Sequence, residues 1–271
     1  MEKYRDEDGF IVLDQFVNVD KYTKDKISTF SYENKKYYMK YTIPSKMYNE
    51  LIGYEIAKQL GINCVNYDLA CNNGFIGVIS EDFKNDGKFV YMSEILTNVF
   101  GIDNCDAANN LEDIWFALSE TFKVDSIVEK LMNQIIQLYL FDILIGNVDR
   151  HNDNYGFVIK DNDINLLLFD NYLLADSYAV YLGRHAIKVD RDNDYSISNF
   201  LSISDFSFTL MLLKMIDSID INSVYTNIMK KINGPVKLEI IKPILDTINY
   251  NINNVKKIAL EKCQKKLNLN K

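Results

Sequence analysis

The stretch GNVDRHNDNYGF, residues 146–157, groups charged and amide side chains between two apolar runs. Asp149 and Asn154 are five residues apart in it, and Asp170 follows the next strand-like segment, in LLLFDNY. Lys40 lies far upstream, in a strand-like segment of its own. Phosphoryl transfer needs a carboxylate to accept the hydroxyl proton, an amide and a second carboxylate to hold magnesium, and a lysine on the nucleotide phosphates. These four residues could supply those groups.

The spacing of these residues has a physical reason. One tight loop would hold Asp149 and Asn154 a few ångströms apart, and an antiparallel hairpin would return Asp170 to the same place. Magnesium prefers oxygen ligands, which an asparagine amide and an aspartate carboxylate provide. Lys40 on a strand is a fixed positive charge that a helix glutamate could orient. Glu50 and Glu55 both qualify for that pairing, and we favour Glu50.

The first ninety or so residues predict short strands around one helix. Residues 10–16 and residues 35–42 are rich in aromatic and β-branched side chains, which predicts a strand in each segment. Residues 49–60 have near-helical apolar spacing, and Gly61 follows as a natural helix end. The segments NYDLACNN and GFIGVISEDF predict two more strands joined by a turn at residues 72–74.

After residue 97 the pattern becomes mostly helical. Residues 126–146 carry helical apolar periodicity as far as Gly146, and a strand hairpin around residues 161–163 follows the polar loop. Residues 198–268 again alternate at helical period. The fold class we predict is α+β and bilobal, with a small β-rich N-lobe over residues 1–97 and a larger helical C-lobe over residues 98–271.

The strings DRHNDN and LFDN resemble the catalytic loop and the metal-binding aspartate of HipA-like serine/threonine kinases, which have a protein-kinase-like fold and an Asp-x-His-x-x-Asn loop. DRHNDN is also similar to the catalytic loop of phosphoinositide 3- and 4-kinases. The order of a lysine strand, a glutamate-containing helix and a strand leading to the adenine hinge is similar to the HipA-like N-lobe. The resemblance spans roughly residues 30–175.

The resemblance implies an ATP- and Mg²⁺-dependent enzyme that phosphorylates a Ser or Thr hydroxyl of a protein. It places Asp149 as the catalytic base and His151 beside it as a residue that orients the loop. Asn154 and Asp170 would bind magnesium. The implied nucleotide-binding residues are Lys40 on the phosphates, Glu50 paired with it, and the hinge residues Ser80, Glu81 and Phe83 within residues 79–83.

Two features depart from the family pattern. Residues 23–35, which should cover the phosphates, contain no glycine, so Ser28, Thr29 and Ser31 would supply the contacts that backbone N–H groups make in a glycine-rich loop. The chain is also shorter than the HipA toxins, so an antitoxin stays only a candidate partner. Two alternatives therefore stand beside the protein kinase: a kinase for lipid or small-molecule hydroxyls, and a pseudokinase or nucleotide-sensing interaction module.

Composition argues against several other classes of protein. The formal net charge of −8 opposes general binding to nucleic acid or to anionic membrane surfaces. We find no membrane-spanning run and no signal peptide, and the four cysteines show no zinc or disulfide pattern. These features predict a cytoplasmic protein that makes no direct contact with nucleic acid or membrane.

Overall fold

A curled six-stranded sheet forms the N-terminal part of the protein, seen in a computed structural model that describes residues 5–14, 19–20, 27–101, 110–161, 163–171, 186–232 and 238–269. Its strand order is β1-β5-β6-β4-β3-β2, with β1 parallel to β5 and the other neighbours antiparallel. The strands are β1 Ile11–Val12, β2 Val19–Asp20, β3 Ile27–Tyr32, β4 Lys35–Tyr41, β5 Asp68–Asn72 and β6 Phe75–Glu81.

Two tight turns set the register of this sheet. Asn73 and Gly74 join β5 to β6, and both have positive φ, 49° and 77°. Glu33 and Asn34 join β3 to β4 in the same way. Two-residue turns of this kind match the right-handed twist of the strands. The predicted turn at residues 72–74 and the strand predicted at 35–42 are therefore present, whereas the strand predicted at 10–16 is only Ile11–Val12, and its residues 15 and 16 lie outside the described ranges.

The register also decides which side chains share a face with Lys40. Lys40 lies opposite Ile27 and Met39 opposite Ser28, so Ser28 faces away from Lys40. Ser28 is buried, and its Oγ accepts a hydrogen bond from the Tyr41 hydroxyl at 3.0 Å. The expectation that the Ser28 side chain contacts phosphate is therefore wrong, because strand alternation puts Thr29 and Ser31, but not Ser28, on the Lys40 face.

Helix α1, Pro44–Gln59, packs against β6 of the sheet and begins five residues earlier than the periodicity predicted. Pro44 at the first helical position explains the early start, because its fixed φ suits a helix and its missing N–H is not needed there. The helix ends before Gly61, which has a φ of 68°. Both the apolar and the acidic residues of α1 are buried, so the helix lies between other elements.

The C-terminal part is mostly helical and is built around α4, whose buried face includes Leu131, Ile135 and Leu138. This helix ends at Gly146, as predicted, and Gly146 has the left-handed conformation. No helix in the described ranges has the length and apolar character needed to cross a membrane. The helices are α2 Met92–Phe100, α3 Leu111–Phe122, α4 Asp125–Ile145, α5 Ile197–Ile203, α6 Phe206–Ser218, α7 Ile221–Lys231 and α8 Leu238–Leu269.

A three-stranded antiparallel sheet connects the two parts, in the order β7 Lys88–Tyr91, β8 Tyr155–Lys160 and β9 Asp163–Leu168. Strands β8 and β9 are the predicted hairpin, although residue 162 of its turn lies outside the described ranges. A short pair, β10 Ala186–Lys188 and β11 Asp194–Ser196, completes the strands of the described residues. The α+β class with a sheet-rich N-lobe and a helical C-terminal part is confirmed; the lobe boundary at residue 97 stays a prediction.

Candidate active site

The loop that follows α4 is shaped by its own amide side chains. The Asn147 side chain donates to Asp142 Oδ1 at 2.9 Å, and its Oδ1 accepts from the backbone N–H of Asp149. Asn154 donates from Nδ2 to the carbonyl oxygen of Asp149 at 3.1 Å. The five-residue spacing noted in the sequence therefore closes the loop. It leaves the Asp149 side chain exposed and buries Asn154.

Arg150 holds this loop to the rest of the protein, and sequence reasoning assigned it no role. Its guanidinium makes a two-point contact with Asp142 in α4, at 3.0 and 3.1 Å, and both side chains are buried. It also donates to the carbonyl oxygens of Asn154 and Phe169. A signal was present in the sequence, because an aspartate inside the apolar run of α4 needs a buried partner.

We expect Arg150→Met to lower the free energy of unfolding by about 3–5 kcal/mol, since it leaves the buried Asp142 carboxylate without its cation. Urea unfolding monitored by circular dichroism measures this. Lys130→Met is the matched control, because Lys130 pairs with Asp163 at 2.7 Å on the surface of the same region. Such exposed pairs contribute little. Equal unfolding midpoints for the two variants would contradict the assignment.

Asp170 is brought next to the loop by its preceding residue. The backbone N–H of Phe169 donates to the Asn154 carbonyl at 3.1 Å. Asp170 itself has a φ of 58°, in the left-handed region that aspartate tolerates better than most residues. Its Oδ1 lies 2.5 Å from the Lys40 Nζ. The predicted strand lysine and the predicted metal-binding aspartate are therefore in direct contact.

Glu50, and not Glu55, is the helix glutamate beside Lys40. Glu50 Oε1 lies 3.6 Å from Lys40 Nζ, whereas Glu55 accepts from Asn227 and lies 3.8 Å from Lys231 on α7. The Glu50 side chain is 1% exposed, and its Oε2 accepts from the backbone N–H of Asn171 at 2.7 Å. Burial raises the pKa of Glu50 to about 7, because loss of hydration outweighs the attraction of Lys40.

This pKa predicts a pH-dependent effect of Glu50→Gln on stability. The folded-state pKa of about 7 lies above the ordinary value of 4.5, so the stabilising contribution of Glu50 is complete below pH 4.5 and is lost as the pH rises through 7. Glutamine does not titrate. Between pH 4.5 and 8, the free energy of unfolding of the wild type should therefore fall, relative to that of the variant, by on the order of 2–3 kcal/mol.

Urea midpoints of the wild type and Glu50→Gln at pH 4.5, 6, 7 and 8 check this prediction. Glu55→Gln is the matched control, because Glu55 is a second buried carboxylate of the same helix. A wild-type-to-Glu50→Gln difference that is the same at all four pH values would contradict the prediction.

The predicted hinge residues lie at one end of the sheet. Ser80 is buried, and because it lies opposite Tyr38 it shares the sheet face of Lys40. Glu81 pairs with Lys35 at 2.9 Å. Phe83 stacks on Phe169, with ring centroids 5.3 Å apart, so it reaches the residue before Asp170. Glu81 and Phe83 also line a cleft of about 640 Å³ whose lining does not include Lys40, Asp149, Asn154 or Asp170.

His151 lies on the surface of the loop, with its side chain 42% exposed. Its Nδ1 accepts from the backbone N–H of Asp153 at 3.3 Å, so the contact orients the turn.

The donor set fits magnesium. Asn154 uses its NH₂ end on the Asp149 carbonyl, which makes its amide oxygen the end that can bind a cation, and Asp170 adds a carboxylate. Magnesium commonly takes one or two such protein oxygens together with phosphate oxygens and water. The arrangement thus combines an exposed carboxylate, two oxygen donors and a paired lysine, which is the set of groups that phosphoryl transfer requires.

Comparison with known proteins gives the relatives of the chain and its fold. No protein-family model matches the chain. The chain is 24% identical to the serine/threonine-protein kinase CtkA of Helicobacter pylori strain J99, over 83% of this chain and 78% of CtkA. The crystal structure of the H. pylori proinflammatory kinase CtkA matches with a TM-score of 0.68 and 19% identity, over 93% of this chain and 98% of that chain.

A second structural match is to the Shewanella oneidensis MR-1 toxin–antitoxin complex of HipA, HipB and operator DNA, with a TM-score of 0.60 and 12% identity. It covers 90% of this chain and 67% of the matched chain. The chain is therefore a homologue of the serine/threonine-protein kinase CtkA and has the HipA-like kinase fold.

Proposed function

We propose that the chain is a kinase that uses ATP and Mg²⁺ to phosphorylate a Ser or Thr hydroxyl of a protein. The observation that carries the proposal is the contact of Lys40 with both Asp170 and Glu50, in a site that Phe169 joins to the loop of Asp149 and Asn154. Homology to CtkA supports a protein as the acceptor. The proposed location is the cytoplasm.

Each residue has a role in this proposal. Asp149 accepts the proton of the acceptor hydroxyl, and its exposure allows a protein side chain to reach it. Asn154 and Asp170 hold magnesium, which when bound neutralises charge on the phosphate oxygens. His151 orients the loop. The nucleotide-binding residues are Lys40 and Glu50 at the phosphates, and Ser80, Glu81 and Phe83 at the adenine.

Lys40 has to change partner when ATP binds. Its ammonium group lies 2.5 Å from Asp170 and 3.6 Å from Glu50. An ammonium group is a point charge on a flexible stem, so Lys40 can turn toward phosphate without leaving Glu50. This movement would free the Asp170 carboxylate for the cation. Glu50, which is buried and bonded to the Asn171 backbone, would remain the fixed partner.

The test is transfer of labelled γ-phosphate from ATP, with and without Mg²⁺, to generic protein acceptors and to the chain itself. Phosphoserine or phosphothreonine in acid hydrolysates supports the proposal. Label in phosphoinositides or in small-molecule alcohols, with none in protein, would identify the alternative kinase. MgATP binding without transfer to any acceptor would indicate a nucleotide-sensing module instead.

An antitoxin partner is a separate proposal, suggested by the complex of HipA with HipB. Co-purification of the chain with the product of a neighbouring gene would support it.

A further inference from the structure

Asn171, the residue after Asp170, is completely buried and contacts three separate segments of the chain. Its backbone N–H donates to Glu50 in α1 at 2.7 Å. Its Oδ1 accepts from Arg150 Nη2 at 2.8 Å, and its Nδ2 donates to Cys64 Sγ at 3.4 Å. Both ends of the amide and the backbone are therefore used, and each partner comes from a different segment of the chain.

Gly53 makes this position of Asn171 possible. A Cβ atom placed on Gly53 would lie 2.7 Å from the Cβ of Asn171 and 2.8 Å from its Cγ, closer than side-chain atoms approach one another. Gly53 has an ordinary helical φ, so glycine is not needed there for its backbone conformation. A glycine inside a helix destabilises it relative to alanine. The close approach of Asn171 is the feature of the structure that requires glycine here.

The residues on both sides of Asp170 are held by hydrogen bonds. A non-glycine residue in the left-handed region persists when its surroundings hold it there. On one side Phe169 is held by the Asn154 carbonyl and by Arg150. On the other side Asn171 is held by α1 and Arg150. Hydrogen bonds thus hold the backbone on both sides of Asp170, and with it the position from which the carboxylate extends.

We infer that Asn171, seated against Gly53, is a positioning residue that sets Asp170 and Glu50 relative to each other for magnesium and nucleotide binding. We name Glu50, Gly53, Cys64, Arg150 and Asn171 the Asn171 cluster. The inference takes the identity of the metal and of the nucleotide from the proposed function. The arrangement of the Asn171 cluster rests on the hydrogen bonds described above. Asn171 and Gly53 are both buried, so we assign each a role that acts through Asp170 and Glu50.

The experiment compares Asn171→Ala and Gly53→Ala with the wild type in Mg²⁺ titrations of ATP binding, followed by thermal shift. Both variants should raise the Mg²⁺ concentration at half-saturation by about 10–100-fold, the range for residues that orient metal ligands. The double variant should need no more Mg²⁺ for half-saturation than the single variant that binds Mg²⁺ more weakly, because both changes disrupt the same contact. Asn251→Ala is the matched control, since Asn251 is a buried asparagine of α8 whose amide atoms have no hydrogen-bond partner in the described structure.

Deuterium uptake by the nucleotide-free chain supplies a readout that does not depend on kinase activity. Gly53→Ala should speed exchange in peptides that contain Asn171, because displacing Asn171 breaks the bond from its amide to Glu50, while α8 stays unchanged. Unchanged uptake would overturn the inference. So would variants that melt earlier but keep the wild-type Mg²⁺ half-saturation. A wild type that binds MgATP without transferring phosphate would contradict only the proposed function; weaker Mg²⁺ binding by the variants would then still support the positioning role.

Discussion

Asp149→Asn is expected to lower kcat for phosphoryl transfer by about 10²–10⁴-fold, the usual contribution of a general base. Asparagine has nearly the same shape but cannot accept the proton of the acceptor hydroxyl. The loop should keep its structure, because Asp149 holds it through its backbone, with its N–H bonded to Asn147 and its carbonyl oxygen to Asn154. MgATP binding should therefore be retained.

Steady-state kinetics with labelled ATP, together with thermal shift by MgATP, separate these two effects. Asp161→Asn is the matched control, because Asp161 is an exposed aspartate in the β8–β9 turn, at the end of the hairpin away from the Asp149 loop. It should keep the wild-type kcat. If Asp149→Asn transferred phosphate at the wild-type rate, Asp149 would not be the base, and another exposed carboxylate would have to be sought.

Asp170→Asn is expected to abolish phosphoryl transfer and the magnesium-dependent part of ATP binding. Asparagine tolerates the left-handed φ of 58° at this position about as well as aspartate does, so the backbone should persist. Wild type in ATP at 100 times its Kd, with magnesium, should be stabilised by about 2.7 kcal/mol. That corresponds to a rise in Tm of roughly 5–10 °C for a chain of this size.

The measurement is Tm with ATP alone and with ATP and magnesium, for wild type and variant. Wild type should show the larger rise with magnesium, and Asp170→Asn should show the same Tm in both conditions. ADP with magnesium serves as a second ligand control, because it lacks the γ-phosphate. A magnesium-dependent rise that survives in the variant would place the cation on other ligands and contradict the assignment of Asp170.

The local parts of the site follow from short stretches of the chain. Asp149 and Asn154 are five residues apart, and the bond between them closes the loop. Gly146 ends α4, and the strands on either side of residues 161–163 pair as predicted. These features depend on hydrogen bonds and backbone conformations within a few residues. Residue type and spacing are therefore enough to predict them.

The contacts between distant segments were decided by the tertiary structure. Sequence order placed Lys40 and Asp170 in one site and favoured Glu50 as the partner of Lys40 without excluding Glu55. The packing of α1 puts Glu50 beside Lys40 and Glu55 beside Lys231. The hydrogen bond from the Asn171 backbone to Glu50 joins residues that are 121 positions apart in the chain, and no pattern within α1 predicts it.

The physical reason for this division is the range of the interactions. Loop closure and strand pairing in a hairpin are local, so the sequence itself determined the Asp149–Asn154 loop and the hairpin that leads to Asp170. The fit of Asn171 against Gly53, and the burial that raises the pKa of Glu50 to about 7, depend on how whole elements pack together. Only the three-dimensional arrangement of α1, the loop and the hairpin determines them.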